Sequence, residues 1–232
     1  MKPIYLVLLP GLDGTGLLFQ PLIEMLPSNI KPIVVSYPPD KLLGYNELLP
    51  IVLKRLPTDK SFIVLGESFS GPLALRVAST RPDNLEDLVL CASFVSCPFS
   101  FVSRNAEALI FPSLFRVLKI LAKINAYMET RLAVEMNQAI SSVKNEVLAK
   151  RVQEIIKVDV TQDLVDSHLP ILYLQGNKDL LVPKGNLRRV LELRPDAQFA
   201  SINSSHMLLQ TQSKQVVETI SKFILILEPR PK

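Results

Sequence analysis

A serine, an acid and a histidine, each placed where a strand gives way to a loop, are the residues of this 232-residue chain best placed to do chemistry. Ser68 lies in Gly66-Glu67-Ser68-Phe69-Ser70-Gly71, between a β-rich run over residues 61–65 and a helical pattern over 71–80. A serine at such a turn occupies a sharp, strained bend that lifts its hydroxyl above the sheet edge. Taken alone, the same residues also suit an ordinary glycine-bounded turn with a helix-capping serine. Asp179 follows the apolar run 170–175, and His206 falls after a strand near 198–202 and before the last helical pattern. Asp179 by itself equally suits a turn or a helix cap. The other histidine, His168, precedes its strand and so belongs to the opposite edge of the sheet. Only His206 is placed to reach Ser68. Nucleophile, base and orienting acid on one rim are the components of acyl transfer through a serine ester.

A fourth component follows the first apolar run. In Leu9-Pro10-Gly11-Leu12-Asp13-Gly14-Thr15-Gly16 the glycines let main chain approach a reacting carbonyl, and the N–H groups of Leu12 and Phe69 would hold its oxyanion. A phosphate cradle is the rival, but G-x-x-G-x-G is neither the dinucleotide order nor a Walker lysine loop. Glu67 abuts the nucleophile, and the turn is expected to point its side chain away from the site.

These residues need a scaffold that brings strand ends together. Strands are expected over 2–9, 30–36, 61–65, 85–91, 170–175 and 198–202, and helices over 17–26, 45–56, 71–80, 183–193 and 208–227. Such alternation implies an α/β fold, a mostly parallel doubly wound sheet. It breaks over residues 104–157, where helical patterns run without a strand. An insertion there would sit over the ligand-binding edge as a cap. The expected division is a core of residues 1–100 and 160–232 with a helical cap over 101–159.

Composition narrows the class. Hydrophobic residues make up 48% and charged residues 21%, which is globular rather than disordered. A net charge of +4 with few aromatics does not favour nucleic acid. No apolar stretch reaches the length of a membrane span, and the run at 4–9 lacks a cleavage site, so a cytoplasmic protein is expected. Cys91 and Cys97, without metal-ligand company, are expected to be buried free thiols, and no metal or organic cofactor is needed.

In motif and order, the chain resembles the α/β-hydrolase superfamily over nearly its whole length. The elbow GESFSG, the acid loop GNKDLLVP, the histidine loop SSHMLL and the first-strand loop LLPGLDGTG carry the likeness. It implies Ser68, Asp179 and His206 as a triad, with Leu12 and Phe69 as the oxyanion hole, in a serine esterase. Two features depart from it. The first loop lacks the His-Gly pair common in esterases, and Ser70 replaces the elbow's second glycine.

The helical insertion holds nine Lys and Arg against five Glu, an excess equal to the net charge of the whole chain. Arg116, Lys119 and Lys123 share one face of an otherwise apolar stretch. That face is either simply solvated or a dock for an acidic carrier or an anionic lipid surface. In this the chain resembles the pimeloyl-carrier-protein methyl ester esterases of biotin synthesis. The implied partner is a small-molecule or acyl-carrier-bound ester. A thioesterase, lipase or acyltransferase would use the same residues, and a hydrolase-fold binding protein would use none of them.

Overall fold

A computed structural model describes residues 3–98 and 130–226. Six strands form one sheet: β1 (Ile4–Leu9), β2 (Ile30–Val34), β3 (Phe62–Glu67), β4 (Leu85–Cys91), β5 (Ile171–Gly176) and β6 (Gln198–Ile202). Their order is β2-β1-β3-β4-β5-β6, and every pairing is parallel. The interior strands are apolar almost throughout because helices cover both faces. Alternate residues of one strand divide between two cores. Leu6 and Leu8 of β1 join a cluster with Val216, Ile220 and Phe223, while Val7 and Leu9 join one with Leu48, Val52 and Leu73. Pro32, which has no N–H to give, lies in edge strand β2, where a missing donor is tolerated.

The helices are α1 (Gln20–Met25), α2 (Tyr45–Leu53), α3 (Gly71–Ser79), α4 (Thr130–Ser141), α5 (Asn145–Lys157), α6 (Thr161–Asp166), α7 (Gly185–Leu193), α8 (Leu208–Thr211) and α9 (Ser213–Ile226). Some depart from expectation, among them α6, which no expected helix covers. Residues 17–26 divide into a 3₁₀ turn, Leu17–Phe19, and α1. The last helix is interrupted at Gln212, whose φ of −130° ends α8 before α9 begins. Pro50 lies inside α2, which nevertheless runs on to Leu53. Of the cysteines, Cys91 is buried but Cys97 only half-buried, correcting the expectation for the second thiol; neither forms a disulfide. Among the described residues no helix is long and apolar enough to cross a membrane.

The chain runs from β1 outward to β2, then returns to place β3 on the other side of β1. At such a reversal the loops leaving the two strands diverge and open a crevice at their carboxyl ends. The glycine loop and the Ser68 turn border that crevice.

Candidate active site

Ser68 follows β3 directly, with φ at +49°. That left-handed backbone costs a non-glycine residue about 1–3 kcal/mol and persists only where surroundings enforce it. The neighbouring glycines are part of the enforcement. A Cβ on Gly66 would come within 2.5 Å of the Ser70 carbonyl oxygen, and one on Gly71 would collide with Ser93 Oγ. Ser93, just past β4, uses the space by donating its hydroxyl to the Ser68 carbonyl at 2.7 Å. A planar trans peptide points its C=O and N–H in opposite directions, so this bond also fixes the aim of the Phe69 N–H. Phe69 is clamped further: Tyr45 stacks on its ring at 4.7 Å and donates its hydroxyl to the Phe69 carbonyl at 2.8 Å.

Ser70 is more than a tolerated departure from glycine. Its buried hydroxyl donates to the Pro10 carbonyl and accepts from the Tyr37 hydroxyl at 2.7 Å, tying the elbow to the glycine loop. Replacing Ser70 with alanine leaves both partners unsatisfied indoors, an expected loss of about 1–3 kcal/mol. Urea unfolding checks this: the midpoint should fall at constant slope, and an unchanged midpoint would show that the link contributes nothing.

Asp179 and His206 are brought to Ser68 from β5 and β6. The two loops interlock, since Asn177 and Lys178 donate their N–H groups to the carbonyls of Ile202 and Ser204. Gly176 permits this approach, because a Cβ there would strike the Ser205 carbonyl. Asp179 Oδ1 accepts the N–H groups of Leu181 and Val182, each at 2.9 Å. Its Oδ2 lies 2.8 Å from His206 Nδ1, and His206 Nε2 lies 2.9 Å from Ser68 Oγ. An ionised carboxylate only accepts, so Nδ1 carries the proton and Nε2 is left to accept from the serine. Burial acts to lower the His206 pKa. The charge and hydrogen bond of Asp179, with Glu67 adding to them, outweigh it and hold the imidazole above its ordinary value.

Glu67 corrects the sequence expectation. Its side chain lines the cavity in front of Ser68 instead of pointing away. It is 6% exposed and accepts from Gln210 Nε2 at 2.9 Å. Burial pushes its carboxyl up to about 7, with Asp13 adding to the rise, while Gln210, His206 and the Gly11 N–H oppose it. Asp13 borders the same cavity, its Oδ1 engaged by the backbone N–H of Thr15 at 2.9 Å.

The rest of the described lining is apolar. Leu18, Met136, Ile140, Leu148 and Ile155 belong to it, the last four coming from α4 and α5. Leu12 borders the cavity, and Phe69 is buried behind Ser68. Ser68, Asp179, His206, Leu12 and Phe69 are therefore brought to one edge of the sheet. Arg116, Lys119 and Lys123 lie outside the described residues. Arg151, one of the nine basic residues of the insertion, is not on a solvated face at all but 1% exposed. Among the described residues no cluster of His, Cys, Asp and Glu could hold a metal ion.

Sequence reasoning missed Glu67, Ser93, Tyr37 and Tyr45. Only Glu67 had a signal, its place beside the nucleophile; the others reach the site by tertiary packing.

No family model matches the chain. It is 22% identical over 215 residues to RutD of Caulobacter sp. (strain K31), a protein named for carbamate hydrolysis; the match covers 82% of this chain and 79% of that one. Among solved structures it resembles an esterase from Exiguobacterium antarcticum (16% identity, TM-score 0.78), covering 97% of this chain and 92% of the other. An enol-lactonase from Burkholderia xenovorans LB400 (17%, TM-score 0.74) and a bromoperoxidase from Bacillus anthracis (17%, TM-score 0.78) are similar over the same shares. The chain has the α/β-hydrolase fold.

Proposed function

We propose that the protein is a serine hydrolase that cleaves uncharged carboxylic esters through an acyl-enzyme on Ser68. The observation carrying this reading is the unbroken hydrogen-bonded chain from Ser68 Oγ through His206 to Asp179, with the serine held at positive φ on a strand-to-helix turn. His206 takes the serine proton as Oγ attacks the acyl carbon. The N–H groups of Leu12 and Phe69 receive the oxyanion, and His206 returns the proton to the leaving alcohol. Water then repeats the sequence and releases the acid. Asp179 holds the imidazole tautomer throughout. Within the proposed cap over 101–159, α4 and α5 supply the apolar residues that would take the acyl or alkyl chain.

Esters, enol-lactones and carbamates all present an acyl carbon to such a serine. The described lining contains Asp13 and Glu67 but no lysine or arginine, which favours a neutral substrate over an anionic one. Within esters, the basic face at Arg116, Lys119 and Lys123, read from the sequence alone, favours an acyl-carrier-bound substrate such as a pimeloyl-carrier methyl ester. A panel of p-nitrophenyl esters of two to twelve carbons, with carrier-bound and thioester counterparts, tests both levels. Turnover of medium-chain neutral esters is expected. Failure on every ester would defeat the hydrolase reading, and indifference to the carrier would defeat the finer one.

The acid side of the pH profile follows from His206. A protonated imidazole cannot accept the serine proton, so kcat/KM should rise with pH through an apparent pKa above 6.5. Glu67→Gln removes a charge that favours the imidazolium, so the rise should move to lower pH. An unmoved or upward-moved rise would contradict the placement of Glu67.

A further inference from the structure

The cap is joined to the glycine loop by one buried cation. Arg151 is carried on α5, more than 130 residues along the chain from the loop it contacts. Its Nη1 donates to the carbonyls of Leu12 at 2.9 Å and Asp13 at 2.6 Å, and its Nη2 donates to that of Pro38 at 3.2 Å. The guanidinium also lies 5.7 Å from the centre of the Tyr37 ring, whose hydroxyl supports Ser70. The loop is shaped to receive it. Gly14 has φ at +68°, and a Cβ there would stand 2.5 Å from Arg151 Nη1. The turn is closed by the Gly14 N–H on the Gly11 carbonyl at 3.0 Å, which aims the Leu12 N–H the opposite way.

We infer that Arg151 is a positioning residue for the oxyanion hole: by gripping the Leu12 and Asp13 carbonyls from the cap, it holds the 11–14 turn with the Leu12 N–H facing the reacting carbonyl. This rests on the serine-hydrolase reading above. Two successive carbonyls held by one nitrogen fix the peptide planes that follow Leu12, and the Gly11–Gly14 bond fixes the plane before it. The loop then cannot rotate its donor away without breaking charge-assisted bonds, which are about twice as strong as neutral ones. A buried cation is costly unless its donors are satisfied, so spending one on main-chain carbonyls beside a reaction site suits positioning better than general packing. Burial presses the Arg151 pKa below its ordinary value, with Asp13 and Tyr37 opposing, and the guanidinium remains charged. Glu154, one turn further along α5, accepts the Tyr45 N–H at 3.2 Å and so anchors the same helix at the residue that clamps Phe69. Both proposed donors are thereby tied to α5. Oxyanion stabilisation and cap docking become one event.

The test compares wild type, Arg151→Lys and Arg151→Ala on a medium-chain p-nitrophenyl ester. Losing one oxyanion donor costs ~100-fold or more in kcat. Arg151→Ala should therefore lose roughly that much, and Arg151→Lys, which keeps the charge without the fork, on the order of 10-fold. KM should change little, the acid inflection of the pH profile should stay where His206 sets it, and millimolar guanidinium should restore part of the Arg151→Ala rate. A merely structural arginine would lower melting temperature and active fraction without that rescue. If Arg151→Ala fails to fold, Arg151→Lys decides. A folded variant with kcat within about threefold of wild type overturns the inference. So does a loss confined to KM. Wild type that neither hydrolyses esters nor reacts with a fluorophosphonate fails the parent reading instead, and the inference falls with it.

Discussion

Replacing Ser68 with alanine should reduce ester hydrolysis by about 10⁴-fold or more while leaving the fold intact. The oxygen removed is the only nucleophile within reach of His206 Nε2 among the described contacts. What remains is binding and a donor loop with nothing attacking into it, so KM should stay near its wild-type value. Alanine at φ +49° carries the same backbone strain as serine. The variant also keeps the Ser93 bond to the residue 68 carbonyl and the Tyr45 clamp on Phe69. Melting temperature should accordingly change little. Circular dichroism and steady-state kinetics on one preparation check both halves. A variant that retains a tenth of wild-type activity would show that water or another side chain attacks the ester.

Asp179→Asn should be nearly as damaging, for a reason readable from its two oxygens. Oδ1 is committed to the N–H groups of Leu181 and Val182. An asparagine keeps those bonds by placing its carbonyl there, which turns its NH₂ toward His206 Nδ1. The ring must then accept at Nδ1 and carry its proton on Nε2, the wrong tautomer to take one from Ser68. An expected fall in kcat of about 10³–10⁴-fold follows, with a nearly unchanged melting temperature. Asp179→Ala differs in kind. It orphans two buried N–H groups and should also lose about 1–3 kcal/mol of stability. An active Asp179→Asn would mean that Asp179 does not set the tautomer, and equal stability of the two variants would mean that the bonds to Leu181 and Val182 contribute nothing.

The parts of this site that could be read in sequence were those announced by residue type and strand position together. Ser68, Asp179 and His206 each follow a strand end, and parallel strands deliver all such ends to one rim. Strand β4 and strand β6 matched their expected bounds because continuous or alternating apolar runs mark them well. Glu67 was misplaced because the positive φ of the next residue turns the chain in a way strand periodicity does not anticipate. In sequence Ser70 reads only as a departure from glycine, since its partners Pro10 and Tyr37 come from two other loops. In sequence Arg151 is only one of nine basic residues of the insertion. Only the turn at Gly14, too narrow for any side chain, leaves room for its guanidinium, and nothing near residue 151 announces that turn. The break at Gln212 was hidden because residues on both sides continue the same apolar pattern.

The central claim is that Ser68 forms a covalent acyl-type intermediate with the help of His206. Its most direct test is to treat the purified protein with a fluorophosphonate at neutral pH and map the adduct by peptide mass spectrometry. One phosphonyl group per chain, on Ser68, is predicted, with labelling slowed strongly in His206→Ala. A folded wild-type protein that stays unlabelled, or is labelled at another residue while Ser68 remains free, would contradict the account.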